Sequence, residues 1–354
     1  MKVLHVDSAA SWRGGQNQVL LTALGMAARG HDVSIACRRG GVLETRARAA
    51  ALTVHALPFR GDLSPSAALG LRRVLRRLRP DTVMLHDPHA LSAGVLAGRC
   101  GACRIGVRRV DFALRGPLSR LKYRACDVVV AVSGAIAAVL EREGLPAERI
   151  RVVYEGVPAR PPMPGGVEAL RALGLPETAA VVGNVAALTD HKDHATLLEA
   201  GALVVRRRPE ARFVILGEGE RRAELEARTR ALGLADRVVF AGFRDDVDRL
   251  LPAFDVFCLS SRLEGLGTSL LDAMCFARPV VATAAGGIPE AVVDGVTGRV
   301  VPVRDARALA DAIVDVLSDA ERRNAMGRAG RERFLERFTA DRMVEGTLRV
   351  LHAP

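Results

Sequence analysis

The stretch from Phe257 to Pro289 reads FCLSSRLEGLGTSLLDAMCFARPVVATAAGGIP and holds side chains well suited to chemistry. A buried strand is expected to end at Leu259. A loop with Glu264, Gly265 and Gly267 follows, and a helix is expected from Thr268 to Phe276. Glycines let backbone amides approach a ligand closely. A helix start leaves N–H groups unpaired and carries a partial positive charge. Together they suit a diphosphate. Asp272 lies eight residues after Glu264, about one turn into the helix. Both carboxylates can then face one pocket and accept hydrogen bonds from sugar hydroxyls. The plainer reading is an ordinary strand-to-helix turn with surface acids.

These residues need a scaffold, and the chain alternates strand-like and helix-like stretches throughout. In the first half, strands are expected at Met1–Val6, His31–Ala36, Leu52–Ala56, Thr82–Leu85, Ile105–Val107 and Val128–Val132. Helices are expected at Gln16–Arg29 and Leu71–Leu78. In the second half, strands are expected at Ala180–Asn184, Arg212–Leu216, Val238–Ala241, Val256–Leu259 and Val280–Ala282. Helices are expected there at His194–Arg206, Arg221–Leu232, Thr268–Phe276, Pro289–Val293 and Arg307–Leu317. Repeated strand–helix–strand units imply parallel sheets covered on both faces. The fold class is therefore α/β, with two doubly wound, Rossmann-like parallel-sheet domains facing a cleft. Residues 158–166, PARPPMPGG, carry four prolines and two glycines and read as the linker. The domains are expected at 1–157 and 167–335. A last helical run, roughly Ala320 to Leu351, is expected to return to the first domain with its end, about 336–354. In such sheets ligands sit outside the C-terminal strand ends, at the topological switch points.

Composition narrows the classes. The 354 residues are 49% hydrophobic and 26% charged, as in a globular chain of two domains. No apolar run is long enough to span a bilayer. The N-terminus, MKVLHVDSAASWRGG, does not read as a signal peptide, so the expected compartment is the cytoplasm. Six cysteines fit a reducing compartment. Cys100 and Cys103 form a lone C-x-x-C without further zinc ligands or a redox context, which reads as chance spacing. Residues 1–160 carry 25 Lys/Arg against 12 Asp/Glu, and residues 161–354 carry 26 against 28. The basic half points to an anionic partner or to an arginine-rich background. LRRVLRRLR at 71–79 has an apolar and an arginine stripe. It reads as an interfacial helix at the inner membrane face, or as a helix packed on its sheet with a wet outer face. One Trp and two Tyr leave few stacking platforms for nucleic acid.

Several further segments share one pattern with E-G-L-G-T-S-L-L-D. WRGGQNQVLLTALGMAARGHDV opens the chain, HDPHA stands at 86–90, VVAVSGAIAAVL at 128–139 and VYEGVP at 153–158. VGNVAALTDHKDH, LGEGE, VVFAGFRDDV and ARPVVATAAGGIPEAVVDGVTGRVV complete the series. Their order and spacing resemble the family-4 retaining glycosyltransferases, which have the GT-B fold and an E-x7-E element. The resemblance implies a hexosyltransferase that needs no metal and no cofactor beyond a nucleotide-sugar donor, with a UDP-sugar the family habit. It implies that Glu264 holds donor sugar hydroxyls, Lys192 pairs with the donor phosphates and His86 meets the transferred sugar, with His89 the competing choice. Amides of Gly14, Gly15, Gly267, Thr268 and Ser269 would serve the donor. Gly217, Phe243 and Arg262 would complete that set, and Asp272, more often Glu in the family, would bind ribose. The family's second phosphate cation falls on Ala187 here. Its charge would have to come from His191, Arg108, Arg109 or Arg262, or be missing. The acceptor side falls on the first domain, where the basic excess suits an anionic glycan, lipid or small molecule.

The reaction so implied cleaves the anomeric C–O bond, with positive charge on the ring and negative charge on the leaving phosphate. Two other enzyme readings compete with it. A nucleotide-sugar epimerase shares the two-domain architecture. A nicotinamide dehydrogenase lacks support because no G-x-G-x-x-G follows the first strand. A basic nucleic-acid- or membrane-binding protein is the non-enzyme alternative.

Overall fold

The computed structural model describes residues 1–61, 64–114 and 116–352. Two compact units emerge: Met1–Pro158 with Thr339–Pro354, and Ala159–Phe338. The first unit holds seven parallel strands: β1 (Lys2–Asp7), β2 (Asp32–Arg38), β3 (Thr53–Leu57), β4 (Thr82–Leu85), β5 (Cys103–Arg108), β6 (Val128–Ala131) and β7 (Ile150–Val152). Their order is β3-β2-β1-β4-β5-β6-β7. The second unit holds six: β8 (Ala180–Val185), β9 (Ala211–Leu216), β10 (Val238–Gly242), β11 (Val256–Leu259), β12 (Val280–Thr283) and β13 (Gly298–Val301), in the order β10-β9-β8-β11-β12-β13.

The central strands are apolar along their length because helices cover both faces. VVVA in β6 and VFCL in β11 are buried at every position. Gly183 in β8 shows how closely the second core is packed. A Cβ there would come within 1.9 Å of the Phe254 ring, and Phe254 is wholly buried. Filling that space by Gly183→Ala would force a core aromatic to move, which costs on the order of 1–3 kcal/mol.

Two expectations change. The run from Ala320 to Leu351 is two helices, Ala320–Arg337 and Ala340–His352. Phe338, which follows the first of them in sequence, is fully buried, and Thr339 bridges to Val157 in the first unit. Only the second helix belongs to the first unit, and Ala340 N–H donates to Val157 O at 2.9 Å. Ala353 and Pro354 of the expected C-terminal helix lie outside the described residues. The arginine-striped segment is the end of a longer helix, Pro65–Leu78. Ala67, Ala68, Leu71 and Leu75 are buried, and Arg72, Arg73, Arg76 and Arg77 are exposed. Its apolar stripe is thus spent on the first unit's own core. Among the described residues, no helix is long and apolar enough to cross a membrane.

Candidate active site

In the second sheet the chain leaves β8 for β9 on one side and later returns to β11 on the other. The loops after β8 and β11 therefore diverge at the C-terminal strand ends, which is a topological switch point. Three bonds tie these loops together. Arg262 N–H donates to His191 O at 2.8 Å, Ser260 Oγ to Lys192 O at 3.1 Å, and Lys192 Nζ to Glu264 Oε2 at 2.5 Å. Ser261 Oγ donates to the same Glu264 oxygen at 3.0 Å. The Lys192 and Glu264 side chains are 18% and 12% exposed, so this is a shielded ion pair at the mouth of the sheet.

The helix Thr268–Cys275 starts immediately beyond. Gly267 caps it at φ +87° with no side-chain acceptor. The N–H groups of Thr268 and Ser269 thus open a helix whose first turn is left for a ligand or water. Asp272, on the same helix, is half-buried and is held by Arg160, whose Nη2 donates to Oδ1 at 2.7 Å. Burial raises the Asp272 carboxyl to about 6, against the pull of Arg160.

Gly217 follows β9 at φ +147°, and a Cβ on it would lie 2.0 Å from Ala186 O. Its backbone therefore rests on the loop after β8, and its contribution here is to shape residues 186–188. Ala187 lies on that loop. Arg262 bonds Asp190, which Arg221 also meets at 3.2 Å. Arg108 is buried in the first unit against Tyr123 and the carbonyls of Val110 and Phe112. Phe243, just after β10, is 60% exposed. Behind the loops, His194 Nε2 donates to Asn184 Oδ1 at 3.1 Å, and Asn184 Nδ2 donates to Cys258 O at 2.8 Å. Burial lowers His194 to about 4, so it is a neutral strut between β8, β11 and the following helix. Among the described residues, no three His, Cys, Asp or Glu side chains come together as metal ligands.

The first sheet has its own switch point, between β1 and β4. Ser8 donates through N–H (2.7 Å) and Oγ (2.6 Å) to Asp87, which also caps the helix Pro88–Ala97. Gln16 Nε2 donates to Asp7 at 3.1 Å. Burial, with Asp87 nearby, raises Asp7 to about 6. His86 is 5% exposed and spends both ring nitrogens. Arg109 Nη1 lies 3.1 Å from Nδ1, and His5 Nδ1 lies 2.9 Å from Nε2. Burial, Arg109 and His5 hold His86 well below the usual histidine range, and burial and Arg109 lower His5 to about 3. Both rings are therefore neutral at pH 7. Arginine can only donate, so the His86 proton sits on Nε2 and passes the bond to His5. The His5 proton then sits on Nε2, which is buried without a hydrogen-bond partner among the described residues. To touch a sugar, the His86 ring would have to release one of these neighbours. His89, half-buried, begins the next helix turn. Arg109 also donates to Glu155 at 2.9 Å. The helix Gly14–Ala27 begins beside it, with Arg109 Cδ 3.8 Å from where a Gly15 Cβ would stand.

The structure thus brings Lys192, Glu264 and the Gly267–Ser269 helix start to one switch point, and Gly14, Gly15, Arg109 and His86 to the other. Sequence reasoning missed Arg160, Ser261, His5 and the Asn184–His194 strut. Only Ser261 had a visible signal, by standing three residues before Glu264.

Comparisons with known proteins agree across both units. The profile "Glycosyltransferase Family 4" matches residues 12–160, and "Glycosyl transferases group 1" matches residues 168–333. The lipopolysaccharide core biosynthesis glycosyltransferase LpsE of Rhizobium meliloti (strain 1021) is 32% identical over 80% of this chain and 79% of its own length. The GDP-mannose-dependent monoacylated alpha-(1-6)-phosphatidylinositol monomannoside mannosyltransferase of Corynebacterium glutamicum is 29% identical over 82% and 81%. The crystal structure of Anabaena Alr3699/HepE in complex with UDP and glucose matches with a TM-score of 0.88. It covers 100% of both chains at 23% identity and shows the same fold. The chain belongs to the family-4 glycosyltransferases and is built on the two parallel-sheet units of the GT-B fold.

Proposed function

We propose that this glycosyltransferase moves a hexose-type sugar, with retention, from a nucleoside-diphosphate sugar to an anionic glycan, lipid-linked or small-molecule acceptor. The observation that carries the reading is the shielded Lys192–Glu264 pair beside the uncapped start of the helix Thr268–Cys275. Breaking the anomeric C–O bond places negative charge on the departing diphosphate, and preorganised positive groups lower that barrier most. Lys192 supplies a compact cation, and the amides of Gly267, Thr268 and Ser269 supply donors backed by the helix dipole. Glu264 accepts from the donor sugar's hydroxyls, and Asp272 from ribose. Arg262 offers the second cation that Ala187 lacks, and Phe243 offers an exposed ring for the base. Gly217 holds the intervening loop. The chain's own groups answer the developing charge, which supports a metal-independent reaction.

On the first unit, the helix start at Gly14 and Gly15, with Arg109 and His86, forms an anion-attracting group, and the unit as a whole suits an anionic acceptor. UDP and glucose are bound by the Anabaena protein, and lipopolysaccharide core is built by the Rhizobium relative. A UDP-sugar donor and a glycan or lipid acceptor follow as the first choices. Such an acceptor suits work at the cytoplasmic membrane face. The test is nucleoside-diphosphate release from UDP-, GDP- and ADP-sugars, with chelator present, for wild type and Glu264→Ala. Release from one donor that the variant loses and the chelator does not touch is the expected result. Failure to bind any nucleotide sugar would sink the reading.

A further inference from the structure

Asp272 is one methylene shorter than the glutamate the family more often carries at this position, and Arg160 reaches it. Arg160 Nη2 lies 2.7 Å from Asp272 Oδ1, and the guanidinium forks onto Asp248 through Nε and Nη2, both at 2.6 Å. Its side chain is 24% exposed. The guanidinium stands 5.2 Å from the centre of the Phe276 ring, and the Arg160 carbonyl accepts from Cys275 Sγ at 3.6 Å. Residues 272, 275 and 276 are helix neighbours on one side, so residue 160 is seated against the face that carries the acid. Asp272 Oδ2, by contrast, has no protein partner among the described residues, and the side chain is 23% exposed. One oxygen is spent and one is open.

We propose that Arg160 is a positioning residue for nucleotide recognition: it holds Asp272 by Oδ1, so that Oδ2 stands in one orientation to accept from the ribose hydroxyls. The inference rests on the ribose reading of Asp272 given above. A short acid that rotates freely can turn either oxygen away from ribose, whereas a bond at Oδ1 from an arginine that is itself held by its fork on Asp248 restrains that rotation. The arginine also opposes the burial that favours the protonated acid. The other groups facing Asp272 are Asp248, which works against ionisation, and the Cys275 thiol, whose carbonyl accepts from Arg331 at 3.1 Å.

The test compares equilibrium binding of UDP and GDP with that of their 2′,3′-dideoxy counterparts, for wild type, Asp272→Asn, Arg160→Gln and Arg160→Lys. A charge-assisted bond to ribose makes the wild type prefer the ribonucleotide by roughly tenfold or more. Arg160→Gln is expected to remove most of that preference while leaving the affinity for the dideoxy nucleotide within about twofold. Arg160→Lys, which keeps the charge and loses the fork, should retain part of it, and it carries the comparison if the glutamine variant does not fold. In the wild type the preference should fade as pH drops through about 6, and in Arg160→Gln it should fade at higher pH. Full preference in Arg160→Gln, or equal weakening of both nucleotide forms, overturns the role of Arg160. If Asp272→Asn also keeps the preference, the ribose reading of Asp272 has itself failed.

Discussion

Replacing Lys192 by Met tests the geometry of the site without presuming its reaction. The pair is 2.5 Å long, and the two side chains are 18% and 12% exposed. Removing one member of a fully buried pair costs about 3–5 kcal/mol, because the other charge is left uncompensated. Glu264 keeps the Ser261 hydroxyl and some water, so a discounted loss of about 2 kcal/mol is expected. For a unit of this size that lowers the melting temperature by roughly 4–8 °C. Glu264→Gln removes the carboxylate but keeps an acceptor for Ser261, and leaves a lysine that can extend toward water, so it should cost well under half as much. The sharper expectation concerns the double variant. Lys192→Met with Glu264→Gln has no stranded charge and should melt above Lys192→Met alone. In diphosphate release each single variant is expected to lose about two to three orders of magnitude. The double should lose little more than the worse single, because groups acting as a unit are not additive. Calorimetry and a coupled release assay read the two halves. A double variant less stable than either single, by the sum of their losses, would refute the idea that the charges compensate one another.

Gly217→Ala should disrupt the loop after β8, because its Cβ would overlap Ala186 O at 2.0 Å in a backbone conformation that L-residues avoid. A loss of about 2 kcal/mol or more is expected, with donor affinity falling more than stability alone explains, as read by chemical denaturation and nucleotide binding. Asp7→Asn should stabilise the first unit at pH 7.5. The folded carboxyl sits at about 6 against an ordinary 3.8, so the fold favours the protonated form and loses stability as pH rises between those values. Asn keeps the bonds from Ala9 and Gln16 and avoids that loss, worth about 3 kcal/mol. Its melting temperature should vary less between pH 4 and 6 than the wild type's, and an unchanged profile would count against the assignment. Arg72→Glu with Arg76→Glu should weaken binding to anionic vesicles or a phosphorylated acceptor and flatten its salt dependence. The rate with a neutral acceptor should stay the same.

Much of the fold was readable because a strand buried on both faces leaves an uninterrupted apolar run. β6 and β11 are such runs. β7 and β13 were missed because they are only three and four residues long and read IRV and GRVV, with an arginine breaking the apolar run in each. The break at Phe338 was invisible because it is set by Thr339 pairing with Val157, a contact far away in sequence. Within the site, Glu264, Lys192 and the glycines were legible as local motif. Arg160 was not, since it stands among prolines and reads as linker; only the packing of residue 160 on helix positions 272, 275 and 276 reveals it. His86 was legible as a position but not as an environment. Its partner His5 comes from β1, whose register sets His5 beside Met84, two residues before His86.

The charge of the first unit belongs to a different edge of its sheet from these polar clusters. Arg72, Arg76, Arg79 and Arg99 line a cavity of about 810 Å³ with Asp81 and Gly101, at the residues that precede β4 and β5. His86 and Asp87 follow β4. At about 3.3 Å per residue, the path from Pro80 to His86 is roughly 20 Å, more than twice the screening length of about 8 Å in physiological salt. The arginines therefore add little to the potential at His86 or at the start of the helix Gly14–Ala27, where Arg109 is the local cation. Asp127 answers Arg99 at 2.8 Å, and the acid in the cavity wall, Asp81, accepts from Lys2 N–H at 2.7 Å. The basic excess that dominates the composition is thus a long-range property of one unit, suited to drawing an anionic partner toward it. The diphosphate chemistry proposed above would instead rest on a few shielded groups in the unit whose charges nearly balance.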